Sequence, residues 1–178
     1  SSEYLATLPE PAAKSIRAKK NQLNLEKERA QEIKEAYFST ISFVDAQLGR
    51  ILDQLEATGL DENTIVVFTS DHGYHMGEHG HWQKQTLFEN ATRIPLIIST
   101  PNSEKKGVKS NSPVELIDLY PTLMDLTNIN TPKHVVGKSL EPLMKNVNNS
   151  VRGSALTRWR NGYSIKTKRY RLTKWGSN

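Results

Sequence analysis

The chain has 178 residues, no cysteine, 36% apolar and 24% charged residues, and a formal net charge of +5. This composition sustains one globular unit and is too apolar for a disordered chain. Without cysteine there is no disulfide framework, no thiolate nucleophile and no cysteine-based zinc site. No apolar run reaches the length of a membrane span, and SSEYLATLPEP at the start has neither the basic nor the apolar region of a signal peptide. The chain as given therefore reads as soluble, with no membrane partner and no targeting address. Residues 151–178 hold eight basic side chains and no acidic one, which leaves residues 1–150 net acidic. Such an end fits either an anionic partner or the solvated face of a hairpin, and the alternation of its residues favours the second.

Residues 1–25, with Pro9, Pro11 and scattered charge, show no steady period and read as a lead-in that packs on something or frays. From Glu26 the pattern turns helical. Ile33, Tyr37, Ile41, Val44, Leu48, Ile51 and Leu55 recur at steps of three and four and predict one apolar stripe facing a core. Gly59 is a natural left-handed stop. Thr64–Thr69 (TIVVFT) is a continuous β-branched and aromatic run, which predicts a central strand buried on both faces of a parallel sheet. It runs into Ser70-Asp71-His72-Gly73, so polar groups sit at the carboxyl end of a strand, where open α/β sheets bind ligands. After a loop of about twenty residues, Ile94–Ser99 predicts a second strand with Pro95 near its start. Residues 118–127 predict a short helix with Asp118 as N-cap and Leu119, Leu123 and Leu126 as its apolar face. A weaker helical segment follows at Leu140–Met144. Segments 154–159, 162–167 and 170–175 alternate at period two and predict antiparallel strands joined by tight turns.

The chemistry is concentrated in Ser70–Lys84 (SDHGYHMGEHGHWQK), which holds four of the five histidines. Asp71 and His72 set a hard oxygen donor beside an imidazole nitrogen, a pair suited to a divalent cation, although such an ion wants about six donors. The plainer alternative is that Asp71 caps a turn and His72 bonds backbone. His72, His75, His79 and His81 also allow a zinc reading, weakened by Gly73, Gly77 and Gly80, which make the segment a loop with no fixed face. Lys84 is a compact charge able to neutralise a sulfate or phosphate oxygen, or simply a solvated lysine.

Taken with their surroundings, YFSTISFVDAQLGRILDQLE, TIVVFTSDHG, GEHGHWQK, ATRIPLII, VELIDLYPTLMDL, GKSLEPLM and GYSIKTKRYRLTKW resemble, in order, the sulfatases of the alkaline phosphatase superfamily, and within them the iduronate-2-sulfatase-like branch. The resemblance runs over roughly residues 29–175. It implies an α/β fold: part of an alkaline-phosphatase-like mixed sheet flanked by helices over 1–150, then the start of a small antiparallel C-terminal subdomain over 151–178. It also implies that Asp71 and His72 supply two ligands to Ca²⁺, with Mg²⁺ a possible substitute, and that Lys84 contacts the substrate sulfate. No catalytic role passes to His75, His79 or His81, and Glu78 and His79 read as residues that order the loop.

Sulfatases similar to this chain use a formylglycine made from a C-x-P-x-R or S-x-P-x-R motif, and this sequence contains neither; Ser99-x-Pro101 comes nearest but has Ser103 where arginine is required. The resemblance therefore implies a C-terminal portion whose nucleophile and remaining ligands lie in an N-terminal half outside the chain, and which is inert alone. The implied reaction of the whole enzyme is hydrolysis of sulfate monoesters, those of sulfated sugars above all, by a metal and formylglycine mechanism. Its implied location is periplasmic, secreted or lysosomal. Nucleic acid is not an expected partner, whereas the absent half, or a second copy of the chain, is. The alternatives are a phosphonate or phosphodiester hydrolase of the same superfamily, and a non-catalytic metal- or anion-binding module.

Overall fold

The computed structural model describes residues 2–17, 22, 25–101, 103 and 106–176. They fall into two compact units, Ser1–Ser103 and Glu104–Asn178. The lead-in is more regular than its sequence implies. It forms two short helices, α1 (Ser2–Thr7) and α2 (Glu10–Arg17), and α2 buries Ala13 and Ile16 at 2% and 0% exposure. Two turns are too few to display a period, and Pro11 sits in the first turn of α2, where no intrahelical donor is lost.

The predicted long helix is α3 (Lys27–Ala57). It ends where expected: Gly59 adopts φ +69, and its N–H reaches the Glu56 carbonyl at 2.9 Å. The expectation of a buried stripe is corrected, because α3 buries no residue fully and Ile41, Val44 and Ile51 are 49%, 55% and 64% exposed. Periodicity shows which face is apolar; only neighbouring elements decide whether that face is covered.

Strand β1 (Val66–Thr69) leaves a 3₁₀ turn at Leu60–Asn63 and is shorter than the predicted run. Ahead of its partner come β2 (His75–Met76), β3 (Trp82–Gln83) and α4 (Glu89–Thr92). Then β4 (Leu96–Ser99) pairs with β1 antiparallel, with Val66 opposite Ser99 and Thr69 opposite Leu96. The parallel, doubly buried strand anticipated from composition is thus half of an antiparallel pair, and Phe68 and Ile97 remain 38% and 59% exposed. Between them β2 and β3 form a two-residue antiparallel ladder, with His75 opposite Gln83 and Met76 opposite Trp82. This unit buries Trp82, Leu87 and Ala91, together with His75, His81 and Thr86.

In the second unit a 3₁₀ turn at Leu116–Asp118 leads into α5 (Leu119–Leu126), followed by α6 (Glu141–Lys145). The buried face of α5 is formed by Pro121 and Thr122 rather than by Leu123, which is 36% exposed. Asp118 is not a helix cap by its side chain. It is fully buried and accepts the N–H groups of Glu115 and Lys138, both at 2.9 Å, and Arg152 Nε at 3.0 Å. Arg152 also meets Glu115 at 2.8 Å. Strands β5 (Ser154–Trp159), β6 (Gly162–Thr167) and β7 (Arg171–Trp175) form the antiparallel meander that alternation predicts, in the order β5-β6-β7. Its cations are engaged locally: the Arg158, Arg160 and Arg169 guanidinium groups lie over Tyr163, Trp159 and Tyr170 at 5.4, 5.6 and 5.0 Å. No described helix is long and apolar enough to cross a membrane.

Candidate functional site

Asp71, His72 and Gly73 leave the end of β1, and the chain there is held by short-range bonds. Ser70 Oγ donates to the His72 carbonyl at 2.7 Å, and the Gly73 N–H donates to the Ala91 carbonyl at 2.9 Å. Gly73 is required by packing, since a Cβ at this position would lie 2.0 Å from the Asn90 carbonyl oxygen. The same tight approach shapes His72. Its Nδ1 faces the Gly73 carbonyl at 2.9 Å, and because a carbonyl only accepts, the proton sits on Nδ1 and Nε2 carries the lone pair. That lone pair receives the Lys84 ammonium at 2.6 Å, while an Asp71 carboxylate oxygen lies 3.6 Å from the same nitrogen.

Lys84 reaches His72 because of how its backbone is presented. Gln83, at the end of β3, adopts φ +91, a conformation a non-glycine residue holds only under constraint. The Thr86 N–H then closes a tight turn on the Lys84 carbonyl at 2.7 Å. Beneath the turn, His75 Nε2 and Thr86 Oγ1 are bonded at 2.8 Å with both residues buried. Burial first, then the neighbouring His81 and His79 rings, lower the His75 pKa to about 4, so its imidazole is neutral at physiological pH. His75 packs edge-on to His81 at 4.9 Å and to His79 at 5.9 Å, and His79 stacks on Phe88 at 4.3 Å and Tyr4 at 5.2 Å. Burial also lowers the His79 pKa, against the opposing charge of Glu78. Burial works to raise the Glu78 carboxyl, but the backbone N–H groups of Met76 and Glu78 and the nearby His75 outweigh it, and its pKa lies below the usual value. Its carboxylate accepts the Met76 N–H at 2.6 Å.

The three residues singled out in sequence thus converge, Asp71 and Lys84 meeting on one nitrogen of His72. The donor set suits a divalent cation in kind: one carboxylate and one imidazole whose tautomer is set by a backbone carbonyl. In number it falls short of a site: among the described residues no group of three or more His, Asp or Glu is placed to hold a metal ion. The His75–His79–His81 cluster is accordingly aromatic packing under the site. Sequence reasoning left out Gly73, Gln83 and Thr86 as positioning residues. The glycine in the motif was the available signal; the strain at Gln83 and the His75–Thr86 bond have no signature in residue type.

The fold and this cluster define an α/β scaffold with Asp71, His72 and Lys84 gathered in one loop at a strand end. The sulfatase family model matches residues 6–129, and the chain belongs to the sulfatase family. Human iduronate 2-sulfatase is 36% identical over 126 residues, covering 57% of this chain and 23% of that protein. A protein solved in complex with its substrate D-glucosamine-2-N,6-O-disulfate superposes with a TM-score of 0.80 at 30% identity, covering 89% of this chain and 35% of that one. The phosphonate monoester hydrolase of Silicibacter pomeroyi superposes with a TM-score of 0.79 at 27% identity, covering 85% and 35%. The architecture is that of the alkaline-phosphatase-like sulfatases. The chain spans 21% to 30% of the length of the first four curated relatives it matches.

Proposed function

We propose that this chain supplies part of the active site of a sulfuric ester hydrolase that acts on sulfated sugars. Asp71 and His72 hold a divalent cation, with calcium the preferred ion, and Lys84 contacts the substrate sulfate. The observation that carries this reading is the meeting of an Asp71 carboxylate oxygen and the Lys84 ammonium on His72 Nε2, at 3.6 and 2.6 Å. A bound cation would supply Lewis-acid polarisation of the sulfate oxygens. The chain's own part is to orient: the Gly73 carbonyl keeps the His72 proton on Nδ1, and the turn closed by Thr86 presents a positive charge to a tetrahedral anion. The sugar preference is supported by the glucosamine disulfate seen with one similar protein and by the name of the iduronate 2-sulfatase relative.

The nucleophile, a formylglycine, belongs to a C-x-P-x-R or S-x-P-x-R motif elsewhere in a longer polypeptide, so the 178 residues alone turn nothing over. The exposed apolar face of α3, with Phe43, Val44 and Ile51 at 67%, 55% and 64%, is the surface such a polypeptide would cover. The gene upstream tests this directly, since coding sequence with neither motif removes the reading. Activity of the complete polypeptide is then compared on a glucosamine 6-O-sulfate and on a phosphonate monoester. Sulfate release that falls at least a hundredfold with Lys84→Ala supports the assignment. Preferential phosphonate turnover moves it to the hydrolase that shares the scaffold.

A further inference from the structure

A cavity of about 490 Å³ opens between the segment ahead of α3, the first turns of α3 and the β2–β3 loop, with Gln22, Leu25, Lys34, Met76, Glu78 and Trp82 among its walls. Neither Asp71, His72 nor Lys84 lines it. Its volume lies in the range of small-ligand sites, about 300–1,000 Å³. The walls divide by chemistry. Leu25 and Met76 are apolar. The Gln22 side-chain oxygen is shielded from solvent and no described group donates to it, which is costly for an acceptor. Lys34 and Glu78 feel one another's charge, yet among the described residues no ion pair joins them, and the ammonium lies 6.0 Å from the centre of the Trp82 ring.

This set of walls selects a ligand class. A bare anion would meet the Glu78 carboxylate and the Gln22 oxygen, and a bare cation would meet Lys34. A polyhydroxylated ring suits both, because each hydroxyl donates and accepts: it donates to Glu78 and Gln22, accepts from Lys34, and lays its C–H face on Leu25 and Met76. We infer that this cavity binds an unsulfated pyranose unit, so that the enzyme grips its glycan at a second sugar as well as at the sulfate. The inference deepens the sulfated-sugar reading and rests on it for the source of the sugar. The walls are held in advance of any ligand. Glu78 accepts the Met76 N–H at 2.6 Å, which orients its carboxylate. Trp82, 6% exposed, stands opposite Met76 in the ladder. Gly77 holds φ +106, and a Cβ there would lie 3.2 Å from the Trp82 ring, so the loop meets that ring with no side chain between. A fixed wall spares the ligand the cost of ordering it.

The test uses the complete polypeptide and the methyl glycosides of glucose, galactose, mannose and N-acetylglucosamine as probes, read by saturation-transfer NMR and by the Trp82 indole N–H signal. At least one glycoside should bind and move that signal, and Gln22→Leu and Lys34→Met should each weaken it about tenfold. Cleavage of a small aryl sulfate, which has no second sugar, should be unchanged in both variants. Gln22→Leu should also melt no lower than wild type, because it removes an acceptor that has no donor; a lower melting temperature shows Gln22 bonded within the protein and overturns the inference. Sugar binding that ignores both substitutions, or that leaves the Trp82 signal still, overturns it too. The two readings fail separately. Aryl sulfate cleavage with no signal from any glycoside at about 50 mM, far above a millimolar Kd, overturns the cavity's role alone. Sugar binding with the expected losses supports that role even where no sulfate is released, an outcome that sinks the sulfatase reading by itself.

Discussion

Gly73 and Asn90, seventeen positions apart, touch so closely that the glycine's missing Cβ would fall 2.0 Å from the asparagine carbonyl oxygen. The residue after His72 is therefore glycine because a distant backbone passes over it. Gly73→Ala must push residues 90–93 away, weakening the Gly73–Ala91 bond and costing about 1–3 kcal/mol in urea unfolding. Gly49→Ala is the control: its Cβ meets nothing within 4 Å, and in the interior of α3 it should stabilise by about 0.5–1 kcal/mol. Equal effects of the two substitutions would refute the packing account.

Gln83 holds φ +91 immediately before Lys84. Gln83→Gly relieves that backbone, and the folded state should gain up to about 1 kcal/mol, less the added freedom of glycine in the unfolded chain. Gln83→Val, with a β-branched side chain at the same φ, should lose stability. The pair is read by thermal melting, and a valine variant as stable as wild type contradicts strain at this position.

The buried His75 makes stability depend on pH with a definite sign. Its pKa is lowered from 6.5 to about 4 in the folded chain, so between these values the unfolded chain binds a proton that the folded chain refuses. Stability is thus full above about pH 6.5 and falls as pH drops toward 4, by an amount on the order of 3 kcal/mol. His79, shifted in the same direction, adds to the trend. Melting temperatures of wild type and His75→Gln across pH 7.5 to 4 check it: the variant should lose the steepest part of the slope, and parallel curves would exclude His75 as its source.

Arg152 ties the start of the meander to the buried Asp118 and to Glu115, whose side chain is 14% exposed. Glu115 in turn accepts the Leu156 N–H of β5 at 2.6 Å. Arg152→Ala strands two carboxylates with little solvent and should cost about 3–5 kcal/mol. Limited proteolysis should then cut near residues 146–153 before any site in the first unit. A variant as resistant as wild type would show that the pair holds nothing in place.

What the sequence determined by itself was whatever local rules dictate: the long helix with its glycine stop, the three alternating strands from Ser154 to Trp175, and the loop in which Asp71, His72 and Lys84 lie within fourteen positions. Periods of 3.6 and 2 and the backbone freedom of glycine act over a few residues, so they are visible in one line of text. Tertiary structure decided the rest. That β1 runs antiparallel to β4 and that Asp118 faces an arginine thirty-four positions away instead of capping its own helix depend on distant partners. The site divides along the same line. Residue types pointed to one loop, but the single acceptor lone pair of His72 exists only because the Gly73 carbonyl takes its other nitrogen. The turn that brings Lys84 onto that lone pair stands on a histidine buried beneath it.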